Sequence, residues 1–365
     1  MKKLIKRLFF LVALISLSAV TAQAVDREEG IGFQIKPVFN SNQIDPSVSY
    51  FYTKVEPGQE QKIEVIVESN RKAPATLAVE VLDAYTGNKG TIAYGTQEKI
   101  GESDPTLKNP VSQLVKPETE KLTVQDFERK VVTFTITPPA EKFEGVKMGS
   151  IRFMLVDEDE DAAMKNNIAL ETGLILASNG EQFNNGKDLK MNGVKAELVR
   201  GQKMVIANLQ NPEPKTLEGL TIDARLKDKK SGKIIKNKKI NGAAMAPNSN
   251  FDFEMAFGLQ ELPTGQFIYE MKVNNDFYNW DFKEEFEITG AQAKKINNES
   301  AFNIDVPLWI KVVTGVQVLL VIIILVMIIV RRKGMSEQLK RQKRKGSNRK
   351  HQSGRKKSSS RKGGA

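Results

Sequence analysis

Cysteine is absent from the 365 residues, and histidine occurs once, as His351 near the C-terminus. The first absence excludes disulfides, thiol nucleophiles, Cys-ligated zinc and iron–sulfur clusters. The second leaves no histidine in the body of the chain for a Ser-His-Asp triad or a zinc ligand set. A GxSxG elbow, a P-loop and a GxGxxG turn after a strand are also missing. Carboxylates are plentiful, but no spacing singles out an acid–base pair of the glycosidase kind. Long amphipathic helical stretches are lacking as well. These absences argue against an enzyme and call for no cofactor.

Charge is unevenly spread. The whole chain is formally +11, yet residues 331–365 carry fifteen Lys or Arg against one acid, Glu337. Just before them, residues 312–330 form an uncharged run of mostly Val, Ile and Leu that stops at "VRRKG". As a helix this run spans roughly 28 Å, close to the hydrocarbon thickness of a bilayer. Trp309 and Lys311 precede it, at the depth where an indole and a snorkelling lysine belong. The reading is a membrane helix over 308–330, with the basic tail 331–365 disordered, cytoplasmic and lying on anionic lipid.

The N-terminus agrees with export. "MKKLIKR" is a charged leader, "LFFLVALISLSAV" (8–20) is too short for an ordinary span, and "AQA" (22–24) supplies small residues for cleavage. Residues 1–24 read as a signal peptide, leaving Val25 as the first mature residue. The region between leader and membrane helix, without Lys311, is formally −8. The high pI is therefore a property of the tail and argues nothing for nucleic acid. An exported, cysteine-free chain fits a Gram-positive envelope. In that setting the single-pass protein places its N-terminal ectodomain on the cell-wall side.

The ectodomain alternates with period two. Phe251, Phe253, Met255 and Phe257 alternate with Asp252, Glu254 and Ala256; Val132, Phe134 and Ile136 alternate with threonines; Ile63, Val65 and Val67 share one face. In "WDFKEEFEI", Trp280, Phe282, Phe286 and Ile288 share a face with Glu284 as the exception. Turn clusters punctuate these runs: "EPGQ" (56–59), "TGNKG" (86–90), "KKSG" (229–232) and "LPTGQ" (262–266). "LPTG" lacks the middle residue of the sortase signal LPxTG and is read as a hairpin turn. The pattern predicts an all-β ectodomain of two immunoglobulin-like antiparallel β-sandwiches. They are expected over 25–157 and 158–290, divided in the acidic stretch "DEDED" (157–161), with a polar stem over 291–307.

Candidate contacts come from exposed aromatic and basic positions. "YFYTK" (50–54) places Tyr50 and Tyr52 on one face and Phe51 on the other, so Tyr50 or Tyr52 is a candidate for stacking on sugar. In "NNDFYNWDF" (274–282), Phe277 sits at a hairpin tip, facing opposite Tyr278 and Trp280. Residues 224–239 hold eight basic side chains, Lys229 and Lys230 among them, turning at Ser231–Gly232. They either contact anionic polymers or protect a sheet edge from pairing. "DEDED" lacks the glycine and distal glutamate of an EF-hand and reads as a solvated linker.

The stretches 33–69 ("FQIKPVFNSNQIDPSVSYFYTKVEPGQEQKIEVIVES"), "NPVSQLVK", "KFEGVKMGSIRF", "IALETGLIL", "VIANLQNP" and "AAMAPNSNFDFEM" run through nearly the whole ectodomain. With the overall layout, they resemble the WxL-interacting proteins of low-GC Gram-positive bacteria. The resemblance implies two β-sandwiches, one membrane helix and a basic tail. It further implies that the first domain binds peptidoglycan, that the second binds host proteins, including those of the extracellular matrix, and that WxL-domain surface proteins are partners. The expected function is adhesion or scaffolding at the cell surface. A wall sensor acting through a cytoplasmic partner is the alternative, since the tail has no room for an output domain.

Overall fold

The computed structural model describes residues 32–125, 127–156, 168–302 and 307–357. The expected signal peptide, the "DEDED" segment and residues 358–365 lie outside the described residues. The chain divides into two units at Phe302/Asn303.

The first unit holds both sandwiches. In the first sandwich one sheet runs β1 (Phe33–Val38), β3 (Gln61–Ser69), β8 (Arg129–Ile136), β6 (Val115–Pro117). The other runs β2 (Phe51–Lys54), β10 (Ala169–Ala177), β9 (Val146–Leu155), β4 (Ala75–Gly87), β5 (Thr91–Gly95), with β7 (Lys121–Val124) also paired to β4. The inward alternates of β3 and β8 meet Leu77, Val79, Ile151 and Phe153 of the facing sheet in one core. Two short helices, α1 (Gln97–Ile100) and α2 (Val111–Leu114), lie in the β5–β6 connection.

In the second sandwich β11 (Lys190–Val199), β12 (Gln202–Asn211) and β15 (Ser249–Ala256) face a sheet ordered β14 (Ile234–Met245), β13 (Leu217–Asp228), β16 (Gly265–Asn274), β17 (Asn279–Ile288). Phe251, Phe253, Met255 and Phe257 fill its core, as their alternation requires. Glu284, the exception in β17, accepts from the Val194 N–H at 3.2 Å, beside the register shift between Met191 and Val194. A carboxylate thus satisfies an amide that the irregular ladder leaves open.

Four expectations need correction. The first sandwich does not end at 157. β10 lies between β9 and β2, antiparallel to the one and parallel to the other, and Leu174 and Leu176 (both 0% exposed) sit in the first core. Apolar alternation on both sides of the acidic stretch conceals which sheet a strand will join. "LPTG" does not make a hairpin either, because β15 and β16 lie in opposite sheets, and the strands that "EPGQ" joins, β2 and β3, are likewise in opposite sheets. Each loop spans the sandwich, and Leu262 is buried, its backbone N–H donating to Asn297 Oδ1.

The expected stem forms a helix, α3 (Gly290–Glu299), capped by Thr289 and docked through Ala293 and Ile296, one turn apart. Finally, α4 (Leu308–Lys357) continues from the apolar run into the basic segment expected to be disordered. That segment is rich in Lys and Arg, has no proline, and grows from a helix already nucleated. The hairpin at 224–239, by contrast, forms as read, between β13 and β14.

The sandwiches are joined around Asp104 (5% exposed), in the α1–α2 loop. Its carboxylate accepts from Gln210 Nε2 at 2.9 and 3.0 Å, from Asn250 Nδ2 at 2.8 Å, and from the Thr106 backbone and hydroxyl. Nearby, Thr86 Oγ1 meets Ser249 Oγ at 2.6 Å and accepts from the Ala246 N–H. The tip of the β4–β5 hairpin adds Ala244 N–H to Gly90 O at 2.8 Å. At Gly145 (φ +62°) a Cβ would collide with the Pro214 carbonyl, so this close approach requires glycine.

Two predictions follow from these packings. A fragment ending at residue 157 lacks an interior strand and fails to fold, whereas one ending at residue 186 folds; circular dichroism and proton NMR dispersion distinguish them. For the joint, burial raises the Asp104 pKa, but the bonds from Asn250, Thr106 and Gln210 outweigh it and hold the carboxyl below its ordinary value. Its stabilisation is therefore full above about pH 3.9, the unfolded value, and is lost as pH falls through the lowered one. Asp104→Ala costs about 2–3 kcal/mol in urea unfolding at neutral pH, because buried amide donors lose a charged acceptor.

Candidate functional site

The outer face of the β2–β10–β9–β4–β5 sheet carries a groove of about 600 Å³. Cross-strand neighbours point to the same face, and here small residues are flanked by large ones. Gly173 of β10 lies on the floor; a Cβ there would stand 3.3 Å from Tyr50 Cβ, so the glycine lets that ring lie low. Tyr50 and Tyr94 form the aromatic walls, with Met148 and Ile175 as apolar floor. Ser150 is Gly173's partner in β9 and points to this face; it is fully buried, and its hydroxyl has no partner among the described residues.

Two carboxylates edge the groove, Glu171 from β10 and Glu218 from β13. Burial raises the Tyr94 pKa, and the Glu171 charge and Tyr50 add to it. Burial likewise raises that of Tyr50, aided by Asp45 and Glu218. Both phenols are thus neutral donors at physiological pH. No Lys or Arg lines the groove among the described residues.

Its far wall comes from the segment joining the sandwiches. Phe183 stacks edge-on against Tyr52, 5.2 Å between ring centres. Tyr52 Oη donates to Glu181 O at 2.8 Å, while Thr216 N–H donates to Phe183 O at 2.7 Å. The Thr216 hydroxyl in turn donates to Glu218 Oε1 at 2.7 Å. The linker is thereby sewn to both sandwiches.

The candidate contacts fare differently. Tyr50 lines the groove. Tyr52 shares its face, as alternation demands, but is 7% exposed beneath Phe183 and is a core residue of that corner. Its covering segment is more than a hundred residues away in sequence, which local alternation cannot reveal. Phe277 is 77% exposed at the β16–β17 tip and heads an aromatic row, 6.5 Å from Tyr278, which is 5.8 Å from Trp280. Phe277 does not oppose Tyr278 there, because both lie in the turn, where strand alternation has ended. Lys229 is paired with Glu285 at 2.6 Å, which lowers the Glu285 pKa through that hydrogen bond and charge. Lys230 is exposed beside it in the turn.

β14 is a sheet edge, and its Lys236 and Lys238 lie over the rings of Phe257 and Phe253, at 5.7 and 4.6 Å. That favours the edge-protecting reading for those two lysines. Sequence reasoning missed Tyr94, Glu171 and Glu218, which lie singly on three strands and converge only through sheet order. A second cavity, about 490 Å³ beside Asp104, is lined by Asn208, Asn250 and Asp252. Those groups already bond one another or Asp104, with Asn208 Nδ2 to Asp252 Oδ1 at 2.9 Å, so the cavity belongs to the joint.

Tyr52→Ala is expected to cost about 3 kcal/mol of stability, the usual range for deleting a buried ring. Tyr50→Ala is expected to cost clearly less, about 1 kcal/mol, because Tyr50 is only partly buried. Urea unfolding of the two variants checks the contrast.

The comparisons with known proteins bear on this arrangement. A model of the WxL Interacting Protein peptidoglycan binding domain matches residues 33–154, and one of its host binding domain matches residues 159–298. No curated protein matches the chain. Similar solved structures include the class 5 fimbriae chaperone CfaA, at 12% identity, covering 69% of this chain and 98% of that one, with a TM-score of 0.27. The CsuC–CsuE chaperone–tip adhesion subunit complex of Acinetobacter baumannii pili is 10% identical, covering 69% and 97%, with a TM-score of 0.29. The PapD-like domain 7 of human CEP192 is 11% identical, covering 43% and 91%, with a TM-score of 0.26. At these TM-scores the likenesses carry no argument, and the fold rests on the sheets themselves. With both domain models in tandem across its sandwiches, the chain belongs to the WxL-interacting proteins and is a cell-surface binding protein.

Proposed function

We propose that this protein is a single-pass membrane scaffold that binds peptidoglycan through its first sandwich and protein partners through its second. The observation that carries the reading is the pairing of the two matched binding domains with a candidate span, Leu308–Arg332. In this reading the ectodomain faces the wall, and the basic segment after the span stays in the cytosol on anionic lipid. WxL-domain surface proteins and host extracellular-matrix proteins are the partners of the second sandwich. The aromatic row headed by Phe277, and the turn with Lys229 and Lys230, are its candidate contacts, since exposed aromatics and cations supply contact area and steering. Binding proceeds without turnover.

Protease added to intact protoplasts is expected to release the ectodomain and leave a protected C-terminal stub. The released fragment is expected to pellet with insoluble peptidoglycan. Full-length protein that survives the protease, or a fragment that stays in the supernatant, overturns the reading.

A further inference from the structure

We propose that the groove between Tyr50 and Tyr94 is a binding site for neutral N-acetylated amino sugars, completed by residues of both sandwiches. The inference rests on the wall-binding reading above and goes further by naming the site and the chemistry it selects. Sugar rings present an apolar C–H face and a rim of hydroxyls. The two tyrosines offer flat partners for the face. Glu171 and Glu218, both exposed, offer acceptors for the rim, and carboxylate acceptors make the stronger hydrogen bonds. Met148 and Ile175 supply an apolar floor on which the methyl of an acetamido group can rest.

Charge narrows the ligand. The groove is lined by two carboxylates and, among the described residues, by no cation; Arg152, the cross-strand partner of Glu171, stands at its edge with its charge taken by Glu80 at 2.6 Å. Anionic polymers such as teichoic acid, or host glycosaminoglycans bearing uronate or sulfate, would meet repulsion there. A neutral amino-sugar glycan meets none. Wall glycan is therefore favoured over acidic host glycan as the source of the sugar.

The site's composition also departs from the division that the domain names suggest. Tyr50 and Tyr94 lie in the region matched as peptidoglycan-binding. Glu171, Phe183 and Glu218 lie in the region matched as host-binding. Glu171 comes from β10, a strand of the first sandwich, whereas Glu218 belongs to β13 of the second. Sugar binding is accordingly a property of the joined pair.

The test uses the full chain in detergent micelles, titrated with chitotetraose by calorimetry and compared with hyaluronan. Wild type is expected to bind chitotetraose and to ignore hyaluronan. Tyr94→Ala is expected to weaken chitotetraose binding about tenfold, the scale of one lost stacking partner. Glu171→Gln with Glu218→Gln is expected to weaken it about fivefold at an unchanged melting temperature. These polar changes on exposed side chains decide the matter should Tyr94→Ala fail to fold. Equal affinities in wild type and the Gln double variant overturn the site, as does hyaluronan binding as tight as chitotetraose. Wild type that pellets with insoluble peptidoglycan but ignores chitotetraose also overturns it and leaves the wall-binding reading standing. Wild type that does not pellet removes that reading and, with it, the wall as source of the sugar.

Discussion

The joint between the two sandwiches is built around one buried carboxylate, with several weaker contacts beside it. Asp104 is buried at the end of the first sandwich, and its acceptors are filled by Gln210 and Asn250 of the second and by its own loop. An ionised carboxyl taken from water is costly unless its lone pairs are satisfied. Satisfying them here requires β12 and β15 to stand at one place relative to the α1–α2 loop. The groove inherits that constraint. Glu218 stands on a strand of the second sandwich, and its distance from Tyr94 of the first is set by the joint. Thr86, Gly90 and the close approach at Gly145 restrict the same freedom at other points of the contact. Loosening Asp104 should therefore be felt in the groove although it is not a groove residue.

The linker adds a second tie. Glu181 takes the Tyr52 hydroxyl, and Phe183 takes the Thr216 amide two residues on. The segment between the sandwiches thus behaves as a strap bonded on both sides. Linkers between domains more often leave relative motion open. Here the same short segment roofs a tyrosine of one sandwich and positions a carboxylate of the other through Thr216.

Much of the fold was legible because its determinants are local. Period-two runs such as "FDFEMAF" and "VVTFTIT" fix which side chains go inward, whatever the strand order. The basic hairpin at 224–239 was legible for the same reason, since its turn residues and both strands are contiguous. Strand order was not. "IALETGLIL" has the same apolar character whether it joins the sandwich before it or the one after it. Nothing in its neighbourhood says that β9 and β2 will receive it. "EPGQ" and "LPTG" carry turn chemistry equally suited to a hairpin and to a crossing between sheets. Glu284 is the instructive irregularity: a charged residue at an inward position, explained only once β11 is seen to lose register beside it.

The residues of the groove divide along the same line. Tyr50 was visible because its polar neighbours and its alternation with Phe51 are local facts. Tyr52 had the same credentials and proved to be core, because burial is decided by what a distant segment covers. Tyr94, Glu171 and Glu218 had no signal at all, each being an ordinary residue on its own strand. Sheet order and the joint bring them to one groove. The proposed sugar site is built from non-local pairings, so two domains matched separately along the sequence need not each hold a separate ligand. The strand β10 makes the point physically. It follows the acidic segment, falls within the region matched as host-binding, and yet completes the first core and lends Glu171 to its surface. Function assigned by sequence interval and function assigned by sheet therefore diverge at residues 169–177, where the first sandwich takes its last strand from the second interval.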